Sequence, residues 1–178
     1  MAALRFEKLD REKYEGYPLE FAYSTERYYH VNASEWGFTL EERWFDALVE
    51  KGFTDHLFSE WLEDPIAIGA FDGDKLAGVI EGSIEAWHDV FRISNILVYP
   101  DFRGQGVGSA LMARMEDHAR SIPGCRGLIL ETQSCNYPAI SFYRKQGFAL
   151  SRIDIREYSD EDIQRREVRL DLYKPLRR

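Results

Sequence analysis

Three glycines stand at alternate positions in Arg103-Gly104-Gln105-Gly106-Val107-Gly108-Ser109, just after the apolar run that ends in Pro100. Glycine gives up more backbone freedom on folding than any other residue, so this density marks a main chain that approaches something closely. Arg103 at the mouth and apolar residues resuming at Val107 describe a loop that opens a helix. The first N–H groups of a helix have no partner within it and sit at the positive end of its dipole. Such a loop suits a pyrophosphate, with Arg103 as a fixed countercharge. A Walker A loop would need Gly-Lys-Ser/Thr, which is absent, and the dinucleotide fingerprint G-x-G-x-x-G does not fit G-x-G-x-G. A tight strand-to-helix connection would use the same glycines, so the loop alone leaves both readings open.

A second constellation lies in "NYPAISFYRKQGF", residues 136–148. Asn136 stands at an N-cap position and Pro138 in the first turn, where a missing N–H does no harm. Asn136, Ala139, Ile140 and Tyr143 share one helical face, and Gly147 ends the helix after Arg144 and Lys145. An N-cap amide and a phenol about 10 Å apart on one stripe could bracket an extended ligand. Tyr143 could equally be a core tyrosine. Glu81 and Glu85 fall i, i+4 on one face of the strand "GVIEGSIEAW", with Trp87. If that face lines a cleft, Glu81 is a general base, and Glu85, with Trp87, holds a cation; two solvated glutamates would read the same way. His88 and His118 are candidates by residue type only, and Cys125 and Cys135 show neither metal spacing nor a disulfide framework. No metal is expected.

These side chains must be carried by a definite order of elements. "LRFEKLD" alternates as a first strand. Residues 11–52 read as two helices, the clearer being "TLEERWFDALVEKG", with Thr39 and Glu42 as a capping box and Gly52 at its end. "TDHLFSEWLED" adds a further helical segment. Aromatic residues of this region (Tyr23, Tyr28, Tyr29, Trp36, Phe38) wall an acceptor site or pack a core. "PIAIGAF" and "KLAGVIEGSIEAW" flank the turn "DGD" as a hairpin, and "FRISNILVYP" is a further strand. A helix from Val107 carries Leu111, Met115 and His118 on one face and stops at Pro123-Gly124. "GLILETQ" is a buried strand, and "ALSRIDIREY" and "EVRLDLYKPL" form a closing antiparallel pair. The expected fold is one α/β domain over residues 1–178, with a mixed, mostly antiparallel sheet of six to seven strands flanked by helices.

Composition narrows the function. The chain of 178 residues is 44% hydrophobic and 30% charged, which describes a folded domain with a core. Lysine and arginine number 23 against 31 acids, a net charge of −8. Nucleic-acid binding would want a basic stripe, and a cationic small substrate is favoured instead. No apolar run reaches the length of a membrane span, no signal peptide is evident, and a cytoplasmic location is expected.

Together, "ILVYPDFRGQGVGSALM" and "LETQSCNYPAISFYRKQGF" resemble the GNAT superfamily of acetyl-CoA-dependent N-acetyltransferases, over about Ile93 to Phe148. Within it, "LETQ…N-x-P-A-x-x-FY" is similar to the streptothricin-type acetyltransferases. The resemblance implies a sheet splayed between its fourth and fifth strands. It also implies that Arg103, Gly104, Gln105, Gly106, Val107, Gly108 and Ser109 hold the coenzyme A pyrophosphate. The main chain of Ile96, Leu97 and Val98 would pair with the pantetheine arm, one N–H of Leu97 or Val98 facing the thioester oxygen. Asn136, with Ala139 and Phe142, would contact that arm, and Tyr143 would protonate the departing thiolate. The acceptor would be a small-molecule amine attacking directly in a ternary complex, with Glu85, Trp36 and Trp87 against it and antibiotic resistance as the role. A peptide N-acetyltransferase and a non-catalytic acetyl-CoA sensor are the alternatives. A homodimer is allowed for.

Overall fold

The computed structural model describes residues 4–176. Its elements are β1 (Arg5–Lys8), α1 (Arg11–Tyr14), β2 (Pro18–Ser34), β3 (Gly37–His56), β4 (Ile66–Asp72), β5 (Lys75–Glu85) and β6 (Val90–Val98). They continue with α2 (Val107–Ser121), β7 (Gly127–Gln133), α3 (Tyr137–Lys145), β8 (Ala149–Asp154), α4 (Asp162–Arg165) and β9 (Arg169–Pro175). Seven strands form one sheet in the order β1-β4-β5-β6-β7-β9-β8, while β2 and β3 form a separate two-stranded sheet. The described residues divide into two compact units: residues 4–21, 54–129 and 175–176, and residues 22–53 and 130–174.

In the first unit, β1, β4, β5 and β6 pair antiparallel in sequence. The expected "DGD" hairpin is there: Asp72 pairs with Lys75, and Gly73 takes the positive φ of +59° that the two-residue turn demands. Between β5 and β6 the register shifts after Glu81, a bulge that changes which residues oppose one another. The α2 helix buries Val107, Leu111, Met112, Met115 and Ala119, the 3.6-residue stripe foreseen, and packs on β4 and β5. His118, beside that stripe, sits against Phe91 with 5.6 Å between rings, and burial lowers its basicity. Leu9, Leu19, Leu57, Phe58, Ala67, Phe71, Val79 and Leu97 form a core.

The two helices expected over residues 11–52, a stretch that runs from the first unit into the second, are corrected. Only Arg11–Tyr14 is helical there, capped by Asp10, and the rest is the long hairpin β2–β3 around the two-residue turn Glu35-Trp36. The reason is visible residue by residue. Leu19, Phe21, Tyr23 and Thr25 are buried or half-buried, while Glu20, Ala22, Ser24 and Glu26 are exposed, a strict period of two. The two residues read as a capping box are spent across the hairpin instead. Asn32 donates to the Thr39 hydroxyl at 3.5 Å, and Glu42 pairs with Arg27 at 2.7 Å. Phe45 packs on Tyr28 with 4.6 Å between ring centroids. "TDHLFSEWLED" likewise forms the end of β3 and turns, not a helix. Val31, Ile140, Val168 and Leu170 make the second unit's core, and β8 pairs antiparallel with β9 as foreseen.

Candidate active site

Beyond β6 a single 3₁₀ turn, Pro100–Phe102, buries Phe102 and delivers the chain to the glycine loop. Gly104 and Gly106 take φ of +73° and +84°, which L side chains rarely adopt, and nothing lies within 4 Å of where a Cβ would stand on either. Backbone conformation, not crowding, demands glycine, and the space beside the loop is open. The loop is pinned from behind. Gln105 donates to the Asp101 carbonyl at 2.7 Å, Asp101 pairs with Lys75 at 2.7 Å, and Arg103 Nε donates to the Val98 carbonyl at 3.0 Å. Gly106 is the N-cap of α2 and offers no side-chain cap, so the start of a fifteen-residue helix faces that open space. Open space, left-handed glycines and an arginine at one helix start fit a pyrophosphate.

The strand β6 sorts its own backbone groups. Tyr99 N–H donates to the Ala77 carbonyl, and Val79 opposes Leu97, so period two turns the Leu97 main chain toward β5 as well. The main chains of Ile96 and Val98 therefore face away from β5. This corrects the expectation at Leu97: its N–H is spent in the ladder, and Val98 is the candidate donor.

In the second unit, the Asn136 Oδ1 accepts from the Ala139 N–H at 3.2 Å and caps α3, with Pro138 in the first turn. Ile140 anchors the helix in the core, and Gly147 ends it with φ of +91°. Ala139, Phe142 and Tyr143 are half-buried. Tyr143 contacts Phe142 and Phe148 edge-on, and burial among them pushes its phenol up to about 12, so it stays protonated at neutral pH.

The acceptor-side expectations fare differently. Glu81 does not lie on an open acidic face; it is fully buried. Its Oε1 accepts from the Phe58 N–H at 2.6 Å and its Oε2 from the Asn95 amide at 2.9 Å. Phe58 has φ of +58°, a costly conformation for a bulky side chain, and Glu81 holds it there. Burial raises the Glu81 carboxyl above the usual carboxylate range. Glu85 is no free anchor either: it accepts a hydrogen bond from Arg92 Nε and lies 3.4 Å from His88. Trp87 is not on the strand but in the turn after it, 78% exposed and tilted against the His88 ring. Trp36 occupies the β2–β3 turn and is 91% exposed. What the sequence reading missed is a cluster on the hairpin and α3, namely Arg27, Glu42, Trp44 and Tyr137. The period-two run from Leu19 to Glu26 was the signal that could have exposed it. Among the described residues, no group of histidines, cysteines and acids could hold a metal.

The model of the GNAT acetyltransferase family matches residues 22–148, more than half of the chain, and so takes in the loop, α2 and the whole of α3. The chain belongs to the GNAT acetyltransferase family. It is therefore an acetyl-CoA-dependent acyltransferase. Streptothricin acetyltransferase of Streptomyces lavendulae is 35% identical over 159 residues, 84% of this chain and 82% of that one. Streptothricin acetyltransferase of Escherichia coli is 34% identical, covering 73% of this chain and 72% of that one. Among solved structures, nourseothricin acetyltransferase superposes with a TM-score of 0.80 at 29% identity, over 99% of this GNAT chain and 100% of that one. No helix of the described residues is long and apolar enough to cross a membrane.

Proposed function

We propose that this enzyme transfers the acetyl group of acetyl-CoA to a primary amine of a small polycationic acceptor such as streptothricin. The observation that carries the reading is the 35% identity to a streptothricin acetyltransferase over four-fifths of both chains. That match reaches well beyond the loop and helix shared across the family.

When bound, the thioester supplies an activated acyl group to the attacking amine. Arg103 and the N–H groups from Gly104 to Ser109 take the pyrophosphate, and the Val98 N–H is the donor for the charge that develops on the thioester oxygen. One such donor is worth roughly 3 kcal/mol. Asn136 contacts the pantetheine arm. Tyr143, kept protonated, donates its proton to the departing thiolate. The amine must attack neutral, and at about pH 7 removing a proton from a lysine-like amine costs about 4.6 kcal/mol. Glu81, whose burial raises its affinity for a proton, is the proton acceptor in this scheme. Glu85, neutralised by Arg92, contributes a wall and not an anchor.

A thiol-release assay over streptothricin, spermidine, a monoamine and short peptides tests the reading. Streptothricin is expected to give the highest kcat/KM. Peptides outrunning every amine would sink it and leave only acetyl transfer.

A further inference from the structure

The hairpin β2–β3 and the start of α3 bound a concavity. It is an open cleft of about 440 Å³, inside the range of small-molecule sites, with Thr25, Glu26, Arg27, Leu48, Tyr137 and Pro138 among its lining residues. Its walls are fixed by contacts of their own. The buried Thr25 hydroxyl donates to the Arg27 carbonyl at 2.7 Å and accepts from the Arg27 N–H at 3.2 Å, tying the two residues together. The Arg27 guanidinium lies 4.0 Å from the Trp44 ring centroid and pairs with Glu42 at 2.7 Å. Tyr137 stacks on Tyr29, with 5.6 Å between rings, and its hydroxyl donates to the second Glu42 oxygen at 3.2 Å.

The charges then decide what the cleft can take. Arg27 is neutralised by Glu42, so the cleft offers no spare cation to an anion. Glu26 is the one carboxylate among these lining residues; it is exposed and has no ion pair among the described residues. Leu48, Pro138 and the Tyr137 ring supply apolar surface. A carboxylate beside apolar walls suits an ammonium group on an aliphatic stem, the charge meeting the carboxylate and the methylenes the walls.

We infer that this cleft is a subsite for an alkylammonium arm of the acceptor, with Glu26 setting the preference for cations. The arm it holds is not the amine that reacts. A carboxylate beside an amine favours the charged form, which would oppose attack on the thioester. Tyr137 opens α3 and Tyr143, the proposed acid, lies six residues further along it, about 9 Å by the helical rise, so the subsite and that acid are carried by one helix. The inference rests on the amine-acceptor reading, and it moves the acidic anchor from Glu85 to Glu26.

Titration calorimetry with streptothricin and with spermidine, on the full chain with coenzyme A present, tests it. Glu26→Gln should weaken both cations about fivefold, the size of one partly exposed ion pair. Glu26→Lys should weaken them more than about twentyfold, because like charges then meet. Coenzyme A affinity should match wild type in both, and the KM of a monoamine, which has no second ammonium, should not move. Should either variant lose coenzyme A binding, Leu48→Lys carries the test with the same expectation as Glu26→Lys. Cation affinities unchanged in variants that still bind coenzyme A overturn the subsite and leave the amine reading standing. A wild-type protein that neither binds nor acetylates any cation overturns the amine reading, and the subsite with it.

Discussion

Tyr143 depends on its surroundings more than any other residue assigned to the chemistry. With its phenol pushed up to about 12, it remains a proton donor across the range in which a thiolate leaves. Tyr143→Phe should therefore lower kcat about 10²-fold, the usual effect of losing one general acid, with coenzyme A affinity close to wild type by calorimetry. Equal losses in binding and turnover would make it a positioning residue instead. Glu81 calls for a pair of variants, because it holds the Phe58 turn and is also the proposed proton acceptor. Glu81→Gln keeps an acceptor for the Phe58 N–H and removes the base, so turnover should fall while Tm changes little. Glu81→Ala leaves a buried N–H without a partner and should also cost about 1–3 kcal/mol of stability. The pH dependence has a definite sign. A carboxyl raised by burial is protonated, and useless as a base, below its raised pKa, so kcat/KM should fall on the acid side at a higher pH than an ordinary carboxylate would give. Glu81→Gln should abolish that limb. If the two variants lose stability alike and share the wild-type profile, Glu81 is a strut and nothing more.

At the scale of elements, the glycine loop and the hairpin make opposite predictions about what a sequence exposes. Gly106→Val forces a branched side chain into φ of +84° and projects it into the space assigned to the phosphates. Coenzyme A affinity should drop at least about tenfold, with stability falling by roughly 1–2 kcal/mol. For the hairpin, Thr39 distinguishes strand from helix. As an N-cap its change to Ala would cost about 1 kcal/mol. As an exposed strand residue 3.5 Å from Asn32, its change should leave Tm nearly unmoved. Val31→Ala, in the core with Ile140, Val168 and Leu170, should cost about 2 kcal/mol in the same thermal melts. The loop, α2, α3 and the β4–β5 turn were legible because their signals are local: glycines at positive φ, caps, and a stripe recurring within one helix. The stretch Thr39 to Gly52 misled because its Glu, Leu, Ala and Lys favour a helix locally, whereas the pairing that decides it reaches back to Arg27 and Tyr28. Glu81 and Glu85 were misread for a similar reason. Alternation placed them on one face, but neither the turn at Phe58 that claims Glu81 nor the Arg92 that claims Glu85 can be seen from the strand itself.

The whole molecule carries a net charge of −8 while taking a polyanionic coenzyme and, in our reading, a polycationic acceptor. Long-range fields and local contacts therefore act together on one ligand and against each other on the other. The acceptor is drawn by the overall field and held by Glu26, so added salt weakens both effects. The coenzyme is repelled by the overall field and, in the same reading, held by Arg103 and backbone N–H groups at close range. At physiological ionic strength the Debye length is about 8 Å, so salt removes the distant repulsion while sparing much of the contact with the loop. Raising ionic strength from roughly 0.05 to 0.5 M should then increase the acceptor's KM several-fold and leave the KM for acetyl-CoA flat or lower. Initial rates measured across that range, with each substrate varied at saturation of the other, give the two slopes directly. In Glu26→Gln the acceptor slope should become shallower without affecting the coenzyme slope. Two equal rising slopes would mean that exposed ion pairs hold both ligands, and an acceptor slope of zero would remove the electrostatic case for a cationic acceptor.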